Sequence, residues 1–196
     1  RLKANKIAMG SLVFLILLIL VAIFIPMVWP YSYSDQNLMN ANQSPSMDHI
    51  VGTDKHGRDL FIRVIYGARI SLTVGIAASI INLVVGVVYG GVCGYGGGKT
   101  DNLMMSIVDI LYTIPLTLYV ILLMVWLGAG MKSILIAIGT TYWISMARIV
   151  RGQILSLKEQ EYVMAARTLG ASDSRILFKH LVPNAMGPII VTMTMS

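Results

Sequence analysis

The sequence predicts an all-α fold, a multi-pass transmembrane helical bundle, and three observations carry that reading. Of 196 residues, 56% are hydrophobic and only 12% are charged, against about a quarter charged in ordinary globular domains. The charges leave wide gaps: none lies between Lys6 and Asp35, between Arg69 and Lys99, or between Asp109 and Lys132. Each gap exceeds the roughly 20 residues that a helix needs to cross the hydrocarbon core of a bilayer. The net charge of +6 is scattered along the chain. It therefore excludes a nucleic-acid footprint and fits the bias of Lys and Arg towards the cytoplasmic side of membrane proteins.

Residues 1–30 comprise a basic stub (Arg1, Lys3, Lys6) and a first span over residues 7–29. A signal peptide would carry an apolar stretch of only ~7–15 residues ending at a small-residue cleavage site. This run is longer and ends in Ile25-Pro26-Met27-Val28-Trp29-Pro30, residues suited to an interface. Residues 31–69 form a polar loop. Within it, His49-Ile50-Val51-Gly52-Thr53-Asp54-Lys55-His56-Gly57-Arg58-Asp59 mixes glycines with short polar side chains that hydrogen-bond their own backbone in turns. Leu60, Phe61, Val64, Ile65 and Ala68 then recur at helical spacing, predicting an amphipathic helix lying at the outer interface. His49, Asp54, His56 and Asp59 are of metal-ligating types, but their spacing follows no zinc pattern.

Residues 70–196 make up the membrane core. Its first span, residues 70–93, carries Gly86, Gly90 and Gly94 at four-residue intervals, a groove that lets another helix backbone approach closely. That groove serves either packing within the chain or a face for a second membrane subunit. Cys93 is the single cysteine, so no disulfide framework exists and the thiol is expected to be a small packing residue. Gly97-Gly98-Lys99-Thr100 looks like the end of a phosphate-binding loop. However, position 93 is not glycine and a membrane span, not a strand, precedes it, so it reads as a turn.

The next span covers residues 103–127, with a kink at Pro115. Asp109 near its end is costly in lipid. Arg148 is its nearest candidate partner, which points to a structural ion pair instead of a proton relay. A further span occupies residues 133–150, and residues 151–186 are polar and basic. From Gly187 the chain turns apolar again, the start of another span. The ten residues to Ser196 cannot cross a bilayer, and the chain begins with Arg1, so the sequence is expected to be cut at both ends and truncated before its last spans.

The 151–186 loop is the most informative stretch. Residues 159–169 favour helix, and Gly170 suits the left-handed conformation that ends one. Ser172 or Asp173 can cap a second helix, which Pro183 is expected to interrupt. Two short helices joined by a tight turn would thus press against the membrane face. A DNA-binding helix-turn-helix is excluded, since spans pin both ends.

Here the sequence resembles the membrane permeases of ATP-binding-cassette importers. Their signature reads Glu-Ala-Ala, three residues, Gly, nine residues, then Ile-x-Leu-Pro, and Ala165-Ala166, Gly170 and Pro183 fall at those spacings. Met164 stands where the family has Glu, His180 where it has Ile and Val182 where it has Leu. The peptide and nickel branch is closer still. It reads like Glu161-Tyr162-Val163, Ala165-Ala166-Arg167, Leu169-Gly170-Ala171-Ser172 and His180-x-x-Pro183-Asn184. The outer Gly52-Thr53-Asp54-x-x-Gly57-Arg58-Asp59, then Tyr66-Gly67-Ala68-Arg69 and Ser71-Leu72, is similar to that branch's second permease subunit.

The resemblance implies a type I importer permease fold, MetI-like, in the cytoplasmic membrane of a prokaryote. It implies a second homologous permease, two cytosolic ATPase subunits and an extracytoplasmic solute-binding protein as partners. Glu161, Ala165, Ala166, Gly170, Ala171, Ser172 and Pro183 would form the ATPase-coupling loop, and Gly86, Gly90 and Gly94 a subunit-packing face. No cofactor or metal is expected on this chain, because ATP and magnesium would be used by the partners. The function implied is translocation of oligopeptides or dipeptides without enzymatic chemistry here. A nickel-chelate or glutathione importer of the same family is the near alternative. An ion-coupled secondary transporter is the distant one, and Asp109 alone supports it thinly.

Ten Lys and Arg lie on the side of the N-terminus and the 151–186 loop, and Lys55, Arg58, Arg63, Arg69 and Lys132 on the other, which predicts a cytoplasmic N-terminus. Single cysteines in a Cys93→Ala background test this. An impermeant thiol reagent applied to intact cells should label positions 40 and 132 and spare positions 99 and 174.

Overall fold

A computed structural model of the chain describes residues 5–195; Arg1 and Lys3 of the basic stub, and Ser196, lie outside the described residues. The described residues are helical, apart from connecting turns and one isolated bridge between Thr53 and Asp59. Four helices are long and apolar enough to cross a membrane: Lys6–Val28, Leu60–Gly96, Met131–Leu157 and Asp173–Thr194. The chain divides into two compact units, residues 1–75 and 76–196.

In the first unit, α1 (Lys6–Val28) is started by Asn5, whose side chain accepts hydrogen bonds from the Ile7 and Ala8 amides at 3.1 and 3.2 Å. These satisfy two of the free donors at the helix start. The helix has no polar stripe, and Phe14, Leu17 and Phe24 stand exposed, as suits a lipid-facing span. Trp29 closes it and its ring meets Phe61 at 4.7 Å.

The connection to α2 (Leu60–Gly96) is folded around two carboxylates. Asp54 accepts hydrogen bonds from the amides of His56 (2.8 Å) and Arg58 (3.0 Å), from the Arg58 guanidinium (2.8 Å), and from Arg63. Asp59 is buried; it caps α2 by accepting from the Ile62 amide at 2.9 Å and holds Nδ1 of buried His49 at 2.8 Å. Gly52 and Gly57 have φ of +81° and +69°, where a Cβ would strike the Gln43 and Asn37 carbonyls. The side chains singled out as metal-ligating types are thus spent on a turn network. Among the described residues, no group of three or more His, Cys, Asp or Glu is arranged to hold a metal ion. No separate interfacial helix exists either. Nothing after Leu60 breaks the backbone, Gly67 included, and those turns belong to α2.

In the second unit, α2 packs on α6 (Trp143–Leu157) at the three glycines. A Cβ at Gly86 would lie 2.6 Å from Cβ of Met146, and at Gly94 2.8 Å from the Arg151 carbonyl oxygen; at Gly90 it would collide with the Ala147 carbonyl. The expectation that this face is a subunit-packing surface is therefore corrected, because α6 of the same chain fills the groove. Cys93 is fully buried beside this contact.

The span predicted over residues 103–127 is two helices, α3 (Gly98–Thr113) and α4 (Leu116–Leu127), meeting at 81°. Pro115 has no amide hydrogen and excludes the helical region at Ile114, which is extended at φ −84°, ψ 119°. The result is a break in place of the expected kink. Asp109 and Arg148 pair at 2.6 Å, with the guanidinium 4.2 Å over the Tyr112 ring. A turn at Gly128, φ +89°, leads to α5 (Met131–Thr141), which packs on α4 and continues through helical Tyr142 into α6.

After α7 (Glu161–Thr168), a last long helix starts at α8 (Asp173–Arg175), passes through a π-helical stretch (Ile176–Leu181) and continues as α9 (Val182–Met195). Two expectations are corrected here: the helix begins well before residue 187, and Pro183 does not interrupt it. Ile176, Leu177 and Leu181 are buried while Lys179 stays exposed, so the polar start is an amphipathic turn. In the π stretch the Val182 amide bonds the Leu177 carbonyl, five residues back, and this wider turn accommodates the proline ring. Asn184 adds a side-chain donor to the His180 carbonyl at 2.6 Å.

The Asp54 network has a pH signature. Desolvation pushes its carboxyl up but is outweighed by the Arg58 and His56 amides and the Arg58 guanidinium, which together hold it at about 2, below the ordinary 3.8. A carboxylate depressed on folding stabilises above the unfolded value, and that contribution is lost as pH falls through the folded one. Resistance of the 31–59 segment to pepsin should therefore persist at pH 4 and fail towards pH 2. Asp54→Asn should already make the segment protease-sensitive at neutral pH.

Candidate functional site

The loop that follows α6 is built from local signals. The chain leaves α6 at Lys158, and extended Gln160 precedes α7, its carbonyl accepting from the Val163 amide at 3.0 Å. Val163 is the one fully buried residue of α7, seated against Ile154, Ile176 and their neighbours. The helix ends where Gly170 takes φ +79°. There the Gly170 amide bonds the Arg167 carbonyl at 3.0 Å and the Ala171 amide bonds the Ala166 carbonyl at 3.1 Å. This is the paired 5→2 and 6→1 closure of a Schellman motif. Ser172 then caps α8, its hydroxyl accepting from the Arg175 amide at 3.4 Å.

Of the residues expected to couple, Glu161, Ala165, Gly170 and Ser172 are exposed on this short loop. Ala166 and Ala171 turn inward, half-buried against the core, so they are small because they pack on their own chain. Pro183 lies apart from them in the body of the last helix. Met164, at the position of the signature Glu, is 54% exposed, and Leu169 at the tip is 88% exposed. A leucine held out this far by a rigid turn makes an apolar contact point for another surface.

Polar contacts that sequence reasoning missed tie this loop and α6 to the neighbouring helix ends. The Tyr95 hydroxyl, on the last turn of α2, donates to Asp173 Oδ1 at 2.6 Å and accepts from Arg167 Nη2 at 3.4 Å. Lys158 Nζ donates to the Gly94 carbonyl at 3.2 Å. Arg151 grips Asp101 through two bonds of 2.5 and 2.6 Å, and the Cys93 thiol donates to the same carboxylate at 2.8 Å. The available signal was an acid opening one span and a base closing another; Tyr95 carries no such mark. Gly97 and Gly98, both at positive φ, form the turn at the centre of this frame, between two helices.

Comparisons with known proteins fit this architecture. The family described as binding-protein-dependent transport system inner membrane component matches residues 86–196, and the N-terminal TM domain of oligopeptide transport permease C matches residues 1–45. The oligopeptide transport system permease protein OppC of Bacillus subtilis is 56% identical over 196 residues, covering 100% of this chain and 64% of that protein. The dipeptide transport system permease protein DppC of Bacillus subtilis is 51% identical over 196 residues, covering 100% and 61%. OppC of Escherichia coli K12 is 44% identical over 193 residues, covering 97% and 64%. The chain thus spans less than two thirds of the length of these relatives. With more than half of its residues matched to the family, including the whole α7–α8 turn, the chain belongs to the binding-protein-dependent transport system inner membrane components.

Proposed function

We propose that this chain is part of the translocating permease of an ATP-driven importer of oligopeptides or dipeptides, with its N-terminus and the α7–α8 loop in the cytoplasm. The observation that carries the reading is the α7–α8 turn: a rigid Schellman closure that projects Leu169 from a loop otherwise anchored to its own chain. Such a turn suits docking in a cleft of a cytosolic ATPase subunit, which would bind ATP and magnesium. A second permease and an extracytoplasmic solute-binding protein complete the proposed assembly. The relatives named for oligopeptide and dipeptide transport support a peptide cargo over a nickel chelate or glutathione. An ion-coupled carrier loses support because Asp109, the acid such a mechanism would use, is paired with Arg148.

The chain itself should neither bind nor hydrolyse ATP. Purified alone it should show no hydrolysis above that of a Lys99→Ala control, and activity should appear only with ATPase subunits present.

Docking is tested at the tip. Leu169→Glu touches nothing else in the chain, and in a cleft it would bury an unpaired charge costing about 1–3 kcal/mol or more. Gly170→Arg adds a backbone penalty at φ +79°. Both should insert in the membrane, lower ATPase co-purification and reduce uptake of a labelled peptide by roughly tenfold or more, as that cost implies. Glu159→Ala, exposed beside the loop, should stay near wild type. Normal uptake and normal co-purification in both tip variants would rule this loop out as the docking element.

A further inference from the structure

Resting on that reading, we infer that Tyr95 is a positioning residue for coupling: its hydroxyl joins α7 and α8 to the end of α2 and sets the angle at which the docking turn is held. Apolar contacts from Val163, Ala166 and Ala171 hold the loop on the core, but burial is non-directional and tolerates sliding. The Tyr95 contact is directional. It reaches Asp173, the first residue of α8, at 2.6 Å, a charge-assisted length. It also receives Arg167 from the last turn of α7, whose guanidinium lies 5.8 Å from the ring centre. One side chain therefore touches both helices that flank the turn.

Its own base is firm. Tyr95 follows Gly94, where α2 is pressed on the Arg151 carbonyl and Ile154 of α6, and Lys158 bonds the Gly94 carbonyl. A force on Leu169 thus reaches α6 through the apolar contacts and α2 through Tyr95. Without the hydroxyl, the loop keeps its fold and its docking surface but turns against α2 without moving it.

The test uses the complete permease, assembled with its second permease and ATPase subunits in proteoliposomes, with binding protein and radiolabelled tri-alanine as cargo. Tyr95→Phe keeps the ring and removes the hydroxyl. It should leave ATPase co-purification, thermal stability and the KM for peptide unchanged while ATP hydrolysis continues. Peptide imported per ATP should fall about fivefold, the factor that a ~1 kcal/mol hydrogen bond supports. Asp173→Ala should do the same, and the double variant should be no worse than either. Asp173→Asn, which retains an acceptor oxygen, should remain coupled. Wild-type coupling in Tyr95→Phe, additive losses in the double variant, or loss of ATPase subunits from Tyr95→Phe would each overturn the inference. Failure of the importer reading looks different: the wild-type assembly would show no ATP-driven uptake, and the role of Tyr95 would fall with it.

Discussion

The close approach of α2 and α6 sets the terms for everything around it. Lipid offers no hydrophobic drive for one apolar helix to leave it for another, so association rests on packing contacts and on how near two backbones can come. Gly86, Gly90 and Gly94 bring α2 onto the backbone of α6, with Met146, Ala147 and Arg151 at the contact. From that contact follow the position of Arg151 against Asp101, the reach of Lys158 to Gly94, and the core that receives α7 and α9. Even a methyl group at Gly90 would push the helices apart and disturb all of these together.

Polar chemistry in the second unit is placed at the ends and the break of the helices. Asp101 is 6% exposed and fully engaged by Arg151 and Cys93. An arginine–carboxylate fork with its acceptors filled tolerates burial that a lone charge would not. The broken helix between Thr113 and Leu116 follows the same logic. Irregular backbone at membrane depth is tolerated only against protein or a water-lined space, and the break faces a cavity lined by Tyr112, Thr141, Tyr142 and Ser145.

Much of this was legible in the residues. The charge-free gaps found the spans, Gly170 declared its left-handed turn, and Asp109 could be assigned to Arg148 because little else near it was charged. What stayed hidden depended on geometry that local patterns do not encode. Four-residue glycine spacing says that a backbone comes close, not whose backbone it is. Pro115 and Pro183 look alike in sequence, yet one breaks its helix by 81° and the other is absorbed. The difference is the extended Ile114 before one and the π stretch before the other. Tyr95 was invisible because its partners lie 72 and 78 residues away.

The π stretch also governs the phase of the last helix. Leu177, Leu181, Ala185 and Ile189 recur every fourth residue and all are buried. On a regular helix of 3.6 residues per turn such a series drifts by about 40° at each step, winding off the core face. The wider turn at Ile176–Leu181 works against the drift over its first step and brings the series back into line. The same six residues therefore act as a gear between the two halves of one rod. Removing a single residue there would leave every other residue helical, yet roll α9 by about 100° and turn Ala185 and Ile189 away from α6.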